Sequence, residues 1–241
     1  MGVDRLSRPP PRTDLDFRLI LLIAPVMLFS VIAHEIAHGY AALRQGDTTA
    51  RDMGRLTWNP IKHIDLWLTI ILPVILFQTM HMAIGGAKPV PVDPRNYRNY
   101  RRGDIIVSLA GVATNLVIAI ACTILAALIG LAAHAAEGLV PVAAIAQAMM
   151  LWAIYLNLGL VAFNLIPVPP LDGSHVVKYL LPPAWAAQYQ RIGFAGIVLL
   201  ILMVKFNFLD WWFKPVELAA QGLFHFISRL VLPETTQDWF R

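Results

Sequence analysis

The chain has 241 residues, 58% of them hydrophobic and 14% charged, with a mean hydropathy of +0.62. A soluble domain carries about 25% charged residues, so the composition excludes a soluble globular domain and points to a membrane protein. The net charge of +4 does not argue for nucleic acid, because the basic residues sit in short segments beside apolar runs, as topology-setting loops do.

Residues 1–16 are Pro-rich and mixed in charge and read as a flexible tail. No small-residue cleavage site follows the first apolar run, so a removable signal peptide is not expected. That run, Phe17 to Leu43, is long enough to span a hydrocarbon core of roughly 30 Å, and it carries His34, Glu35 and His38 in its last third. Gly46-Asp47 ends the helix. Residues 48–62 predict a short extended hairpin, from β-branched Thr, a Gly turn and Asn59-Pro60 as a stop. Leu66 to Ile84 is apolar with Pro73 near its centre. The closely spaced prolines of KPVPVDP (88–94) then exclude helix and favour an extended edge strand over residues 85–93.

Ile105 to Ala133 is a second clear span, with Gly111 and Asn115, and Val140 to Ile166 a third, running out into NLIPVPPLDG. Ile192 to Phe208 is a fourth, closed by Asp210, Trp211, Trp212 and Lys214 as an interface signature, with Trp239 a further anchor. Val216 to Leu232 puts Glu217, Gln221 and Ser228 on one face and reads as a last span or an amphipathic helix in the interface. The expected fold is an all-α multi-pass membrane protein of about four to six membrane helices, with a small re-entrant or β-hairpin element beside the active site. Its expected parts are the tail (1–16), a catalytic membrane core (17–181) and a C-terminal part (182–241). Cys122, the one cysteine, excludes a disulfide framework and a thiolate metal site and reads as a packing residue.

HEIAH (34–38) places two histidines one helical turn apart, so both rings project from one face at the spacing a single ion needs, with Glu35 beside the first. Ionisable side chains inside a membrane helix are costly and by default functional. The other reading is a pair of histidines hydrogen-bonding between helices. A catalytic zinc needs a third protein ligand. Asp172 is the candidate, because the stiff segment Pro167 to Pro170 fixes where its carboxylate points and Gly173 permits a tight turn. Taken alone, it is better placed as a helix N-cap.

HEIAH near the end of a membrane helix, joined to NLIPVPPLDG (164–173), resembles the site-2 protease family of intramembrane zinc metalloproteases. SLAGVATN (108–115) is similar to the Gly-and-Asn segment of that family's core helix, and GRLTWNPIKHID and GGAKPVPVDPRNYR are similar to connecting segments of its compact members. The resemblance covers about residues 20–180, in order. It implies one zinc ion held by His34, His38 and Asp172, Glu35 as the catalytic carboxylate, no PDZ-type insert, and membrane-anchored protein substrates.

The expected activity is that of a metalloendopeptidase cutting peptide bonds within or beside the bilayer, with Glu35 as general base and then acid. Asn164 and Asn115 are the candidate oxyanion donors, their other reading being hydrogen bonding between spans. A transmembrane substrate helix must unwind before attack, and residues 85–93 are the candidate edge for pairing with it. His175 is close enough in sequence for a contact behind Asp172, though a helix-start residue is the simpler reading.

The metal also constrains topology. His38, Asn115 and Asp172 can share one depth only if the chain crosses an even number of times between His38 and Asn115, as a re-entrant segment bent near Pro73 would allow. Basic loops on both sides of that segment put the site toward the cytoplasmic face of the plasma membrane, although Arg5, Arg8, Arg12 and Arg18 argue the other way. Two competing functions are a non-catalytic scaffold that binds membrane helices and a metal or ion transporter. Intact HEIAH and Asp172 argue against the first, and the scarcity of polar groups over 116–133 and 140–156 against the second.

Overall fold

A computed structural model describes residues 17–80, 85–193 and 195–232; the tail 1–16, His81 and Trp239 lie outside them. Nine α-helices occur among the described residues: α1 (Phe17–Gln45), α2 (Thr49–Asp52), α3 (Leu72–Met80), α4 (Tyr100–Ala135), α5 (Val140–Asn164), α6 (Asp172–Val177), α7 (Pro183–Gln190), α8 (Ala195–Lys205) and α9 (Asp210–Ile227). Three of them, α1, α4 and α5, are long and apolar enough to cross a membrane, and the bent pair α7–α8 would make a fourth if taken as one span.

Helix α4 is the central element and packs against both α1 and α5. The reason is visible along its sequence. Gly111, Asn115, Ala119, Cys122, Ala126, Gly130 and Ala133 recur every three or four residues and are all buried. Small residues at that spacing let neighbouring backbones approach closely, which is what holds helices together in lipid. Leu151, Ile154 and Leu158 of α5 fill the facing core.

The hairpin expected over 48–62 does not form: Thr49–Asp52 is helical, Pro60–His63 is a 3-10 turn, and no strand occurs among the described residues. Asp47 supplies the cause. Its carboxylate accepts from the Thr49 N–H at 3.1 Å and the Thr49 hydroxyl at 2.5 Å, so the threonines start a helical turn rather than a strand. Asn59 does the same for Ile61. Asp47 also accepts from the Asn96 amide and the Asp93 N–H. Burial pushes its carboxyl up, but these hydrogen bonds outweigh burial and hold it below the ordinary value. The stability it adds is therefore present above the unfolded-state value of about 3.9 and is lost as pH falls through the lower folded value.

The apolar segment from Leu66 starts on a cap, with Asp65 accepting from the Trp67 and Leu68 N–H groups. It passes through a π-turn into α3. Its exit lies beside its entry: the Gly86 N–H donates to the Leu68 carbonyl at 3.0 Å, the Thr69 hydroxyl donates to the Gly86 carbonyl, and the Lys88 N–H donates to the His63 carbonyl. The segment thus returns to the level it left. Residues 85–93, expected as a strand edge, have no ladder partner. Their polar groups are bound internally, with Arg55 donating to the Lys88 and Pro89 carbonyls and the Val90 N–H donating to Glu35.

Within the fourth predicted span, Ile192 to Phe208, lies the 11-residue helix α8, which meets α7 at a 78° bend. Helix α8 lies against the turn after α5, where a Cβ at Gly196 would collide with the Pro169 carbonyl. Helix α9 runs beside α5 in the opposite direction. Trp212 donates to the Ala162 carbonyl at one end, and at the other Gln147 donates to the Leu230 carbonyl and accepts from the Leu232 N–H. It stands along the bundle rather than flat, with Lys214, Glu217 and Gln221 bonded to one another on its outer face.

The carbonyl of Leu230 occupies the space a side chain at Gly130 would need. Gly130→Val is expected to push the C-terminal segment off α4 and cost about 1–3 kcal/mol, read as a lower thermal unfolding midpoint with metal content unchanged.

Candidate metal centre

His34 and His38 lie one turn apart on α1, and their Nε2 atoms are 3.0 Å from each other. Asp172 Oδ2 lies 3.2 Å from the first and 3.4 Å from the second. A tetrahedral zinc with bonds of about 2.0–2.1 Å requires ligand atoms roughly 3.3 Å apart. No other group of three His, Cys, Asp or Glu with the reach to hold an ion is found among the described residues.

The Nδ1 atoms decide what these three atoms can do. His38 Nδ1 is 2.7 Å from the Val107 carbonyl. A carbonyl only accepts, so His38 carries its proton on Nδ1 and leaves a lone pair on Nε2. His34 Nδ1 donates likewise to Asn115 Oδ1 at 2.6 Å. Asp172 Oδ2 is buried and has no hydrogen-bond donor. With both rings neutral, three lone-pair-bearing atoms therefore face one another at the spacing of ligands to one ion, so this donor set fits zinc, with the Nδ1 bonds fixing ring orientation in the usual way of metal-binding histidines.

Asp172 reaches the site from the end of α5. Gly173 packs where a Cβ would collide with the Leu165 carbonyl. Leu171, not Asp172, occupies the N-cap position of α6, and the aspartate is the first helical residue. The cap reading of Asp172 is therefore not realised. Helix α6 is anchored from α4 by Asp104, 2% exposed, which takes bonds from His175 Nδ1 at 3.2 Å, Lys178 Nζ at 2.5 Å and Tyr179 OH at 2.9 Å. This accounts for His175, which bonds to Asp104 rather than to Asp172. Local pattern gave no sign of Asp104. The usable signal was an acidic residue entering a membrane helix with three donor side chains waiting at 175–179.

Glu35 is half-buried, and its Oε2 accepts from the Val90 N–H at 2.7 Å. With His34 and Asn164 it lines a cavity of about 230 Å³ whose walls include Val31, Leu68, Leu160 and Phe163. Asn164 donates one amide hydrogen to the Leu160 carbonyl at 3.0 Å. Asn115 is elsewhere. It is fully buried behind His34, and its amide donates to the Ser30 carbonyl at 3.3 Å and to Asn157 Oδ1 at 2.8 Å. Neither Ser30 nor Asn157 stood out in the sequence, where a single Ser or Asn in an apolar helix looks like ordinary packing.

A Cβ at Gly111 would lie 2.5 Å from His34 Cε1 and 2.6 Å from the Nε2 atoms of both His34 and His38. The α4 backbone must come this close for Val107 and Asn115 to reach the rings. Gly111→Ala is expected to leave a folded helical protein that has lost at least about ten-fold in zinc affinity, measured by metal analysis after dialysis against a chelator.

Residues 22–204 match the family model of peptidase family M50. YwhC of Bacillus subtilis, whose name assigns it provisionally to the zinc metalloproteases, is 39% identical over 183 residues, covering 74% of this chain and 78% of its own length. Rip2 of Mycolicibacterium smegmatis, named in the same way, is 29% identical over 201 residues, covering 82% of this chain and 72% of its own. No solved structure gives a significant match.

Proposed function

Because the chain belongs to peptidase family M50, the site-2 proteases, and is thereby a zinc-dependent metalloendopeptidase of the membrane, we propose that it cleaves transmembrane or membrane-anchored proteins within or near the bilayer, using Glu35 as the proton-transfer group. The observation that carries this reading is the meeting of His34, His38 and Asp172 with their ligand atoms 3.0–3.4 Å apart, with Glu35 at the adjoining cavity.

His34, His38 and Asp172 would hold the zinc. When bound, zinc supplies Lewis acidity, which lowers the pKa of water and polarises the scissile carbonyl. Glu35 Oε2 is engaged by the Val90 N–H, so Oε1 is the atom that takes the proton and returns it to the leaving amine. The Val90 bond fixes the carboxylate's direction. Asn164 has one amide hydrogen left after its bond to Leu160, and this donates to the developing oxyanion. Asn115 acts through His34, because both its amide hydrogens point away from the cavity. The apolar walls exclude bulk water and receive apolar substrate side chains.

The substrate enters as an unwound segment, since helical peptide bonds are shielded. The Lys88 and Pro89 carbonyls and the Val90 N–H are already bonded, so pairing of the substrate along residues 85–93 would use the remaining main-chain groups. The catalytic core is residues 17–181. The basic loops around Arg44, Arg51, Lys62, Arg95, Arg98 and Arg101 support a plasma-membrane orientation with the site toward the cytoplasm.

Glu35→Gln is expected to keep zinc while lowering cleavage of a model membrane substrate by roughly 10²–10⁴-fold. Asp172→Ala is expected to lose the zinc itself. Undiminished cleavage by Glu35→Gln contradicts the reading.

A further inference from the structure

We propose that Asn157 is a positioning residue for the metal centre: it fixes which way the Asn115 amide faces and, through it, which nitrogen of His34 carries the proton. This rests on the reading of His34 as a zinc ligand.

An asparagine amide has two faces that differ only in donor and acceptor. If the Asn115 amide were reversed, its NH₂ would face His34 Nδ1, the ring proton would move to Nε2, and His34 would have no lone pair for metal. The direction is set from the far end of a chain of hydrogen bonds. Asn157 lies 2.8 Å from the Ala153 carbonyl, an acceptor only, so that end of its amide must be the NH₂. The same NH₂ donates to Ser30 Oγ at 2.8 Å, and the Ser30 hydroxyl passes its own proton to the Val26 carbonyl. Asn157 therefore presents its oxygen to Asn115 at 2.8 Å. Asn115 must answer with its NH₂, which leaves its oxygen to accept from His34 Nδ1 at 2.6 Å. Two main-chain carbonyls thus bias the His34 tautomer through Asn157, Ser30 and Asn115, and the 2.8 Å bond to Asn157 is the shorter of the two that orient the Asn115 amide, the other being its 3.3 Å bond to the Ser30 carbonyl.

All three side chains have 0% exposure, so no water can replace a missing member, and a reversed chain would set buried donors against donors. The three residues come from α1, α4 and α5, so the wire exists only where the three central helices meet. Outer residues of this kind change metal affinity by about 10–100-fold when removed.

The test uses the full chain in nanodiscs, with zinc affinity measured by chelator competition and the His34 tautomer read from ¹⁵N-histidine spectra of the zinc-free protein. Asn157→Leu is expected to weaken zinc binding by about ten-fold or more and to convert His34 from the Nδ1–H form to a mixture. Asn157→Asp carries a buried neutral carboxyl that can accept from Asn115 and donate to Ser30, and it is expected to restore affinity to within about three-fold of wild type. Equal losses in the two variants, an unchanged affinity in Asn157→Leu, or a retained Nδ1–H tautomer overturns the proposal. Should Asn157→Leu not fold, Asn157→Ala, which removes the same amide without added bulk, carries the test: a several-fold loss of zinc affinity is expected, and an unchanged affinity overturns it. These readouts need no substrate, so cleavage by Glu35→Gln would sink the protease reading without touching them.

Discussion

Three atoms placed to bind one cation, two imidazole nitrogens and one carboxylate oxygen, lie 3.0–3.4 Å apart in a largely enclosed site. With neutral rings that arrangement is unfavourable by itself, since each atom turns a lone pair toward the others. A divalent cation reverses the sign. The rest of the molecule can be understood as the means of holding these atoms in place until it arrives. Gly111 lets α4 lie against both rings, the Val107 carbonyl and Asn115 keep the ring protons on the outer nitrogens, and Gly173 with the Asp104 anchor brings Asp172 across from a third helix.

The same geometry bears on the apolar segment after Leu66, whose two ends lie side by side. His38 and Asn115 belong to helices joined through that segment, and both sit at the metal. The hydrogen bonds from Gly86 to Leu68 and from Lys88 to His63 bring the chain back to where it began, so the following helix starts on the correct side. On its return the chain passes Glu35, and the Val90 N–H aims that carboxylate. The return of the chain and the direction of Glu35 thus depend on one short stretch of backbone.

Much of the centre was legible in advance. HEIAH specifies its own geometry, because helix periodicity alone puts His34 and His38 on one face. Asp172 was less secure: the stiff segment Pro167 to Pro170 made it the candidate third ligand, the residue taken alone favoured an N-cap, and the resemblance across 164–173 decided between them. The hairpin over 48–62 was misread because Thr propensity was weighed without Asp47, whose carboxylate starts a helical turn two residues on. Asp104 and Asn157 were invisible for another reason. Their side-chain partners are separated from them by 42 to 127 positions, and neither spacing nor composition reports such pairs. Helix α9 showed its polar face in sequence, but its upright course depends on Gln147 and Gly130 of two other helices.

The zinc K-edge absorption spectrum of the purified protein tests the central claim most directly. A first shell of nitrogen and oxygen at about 2.0–2.1 Å, with outer-shell scattering from two imidazoles and no sulfur near 2.3 Å, is the predicted result. A spectrum with fewer than two imidazoles, or one with a sulfur ligand, would contradict it.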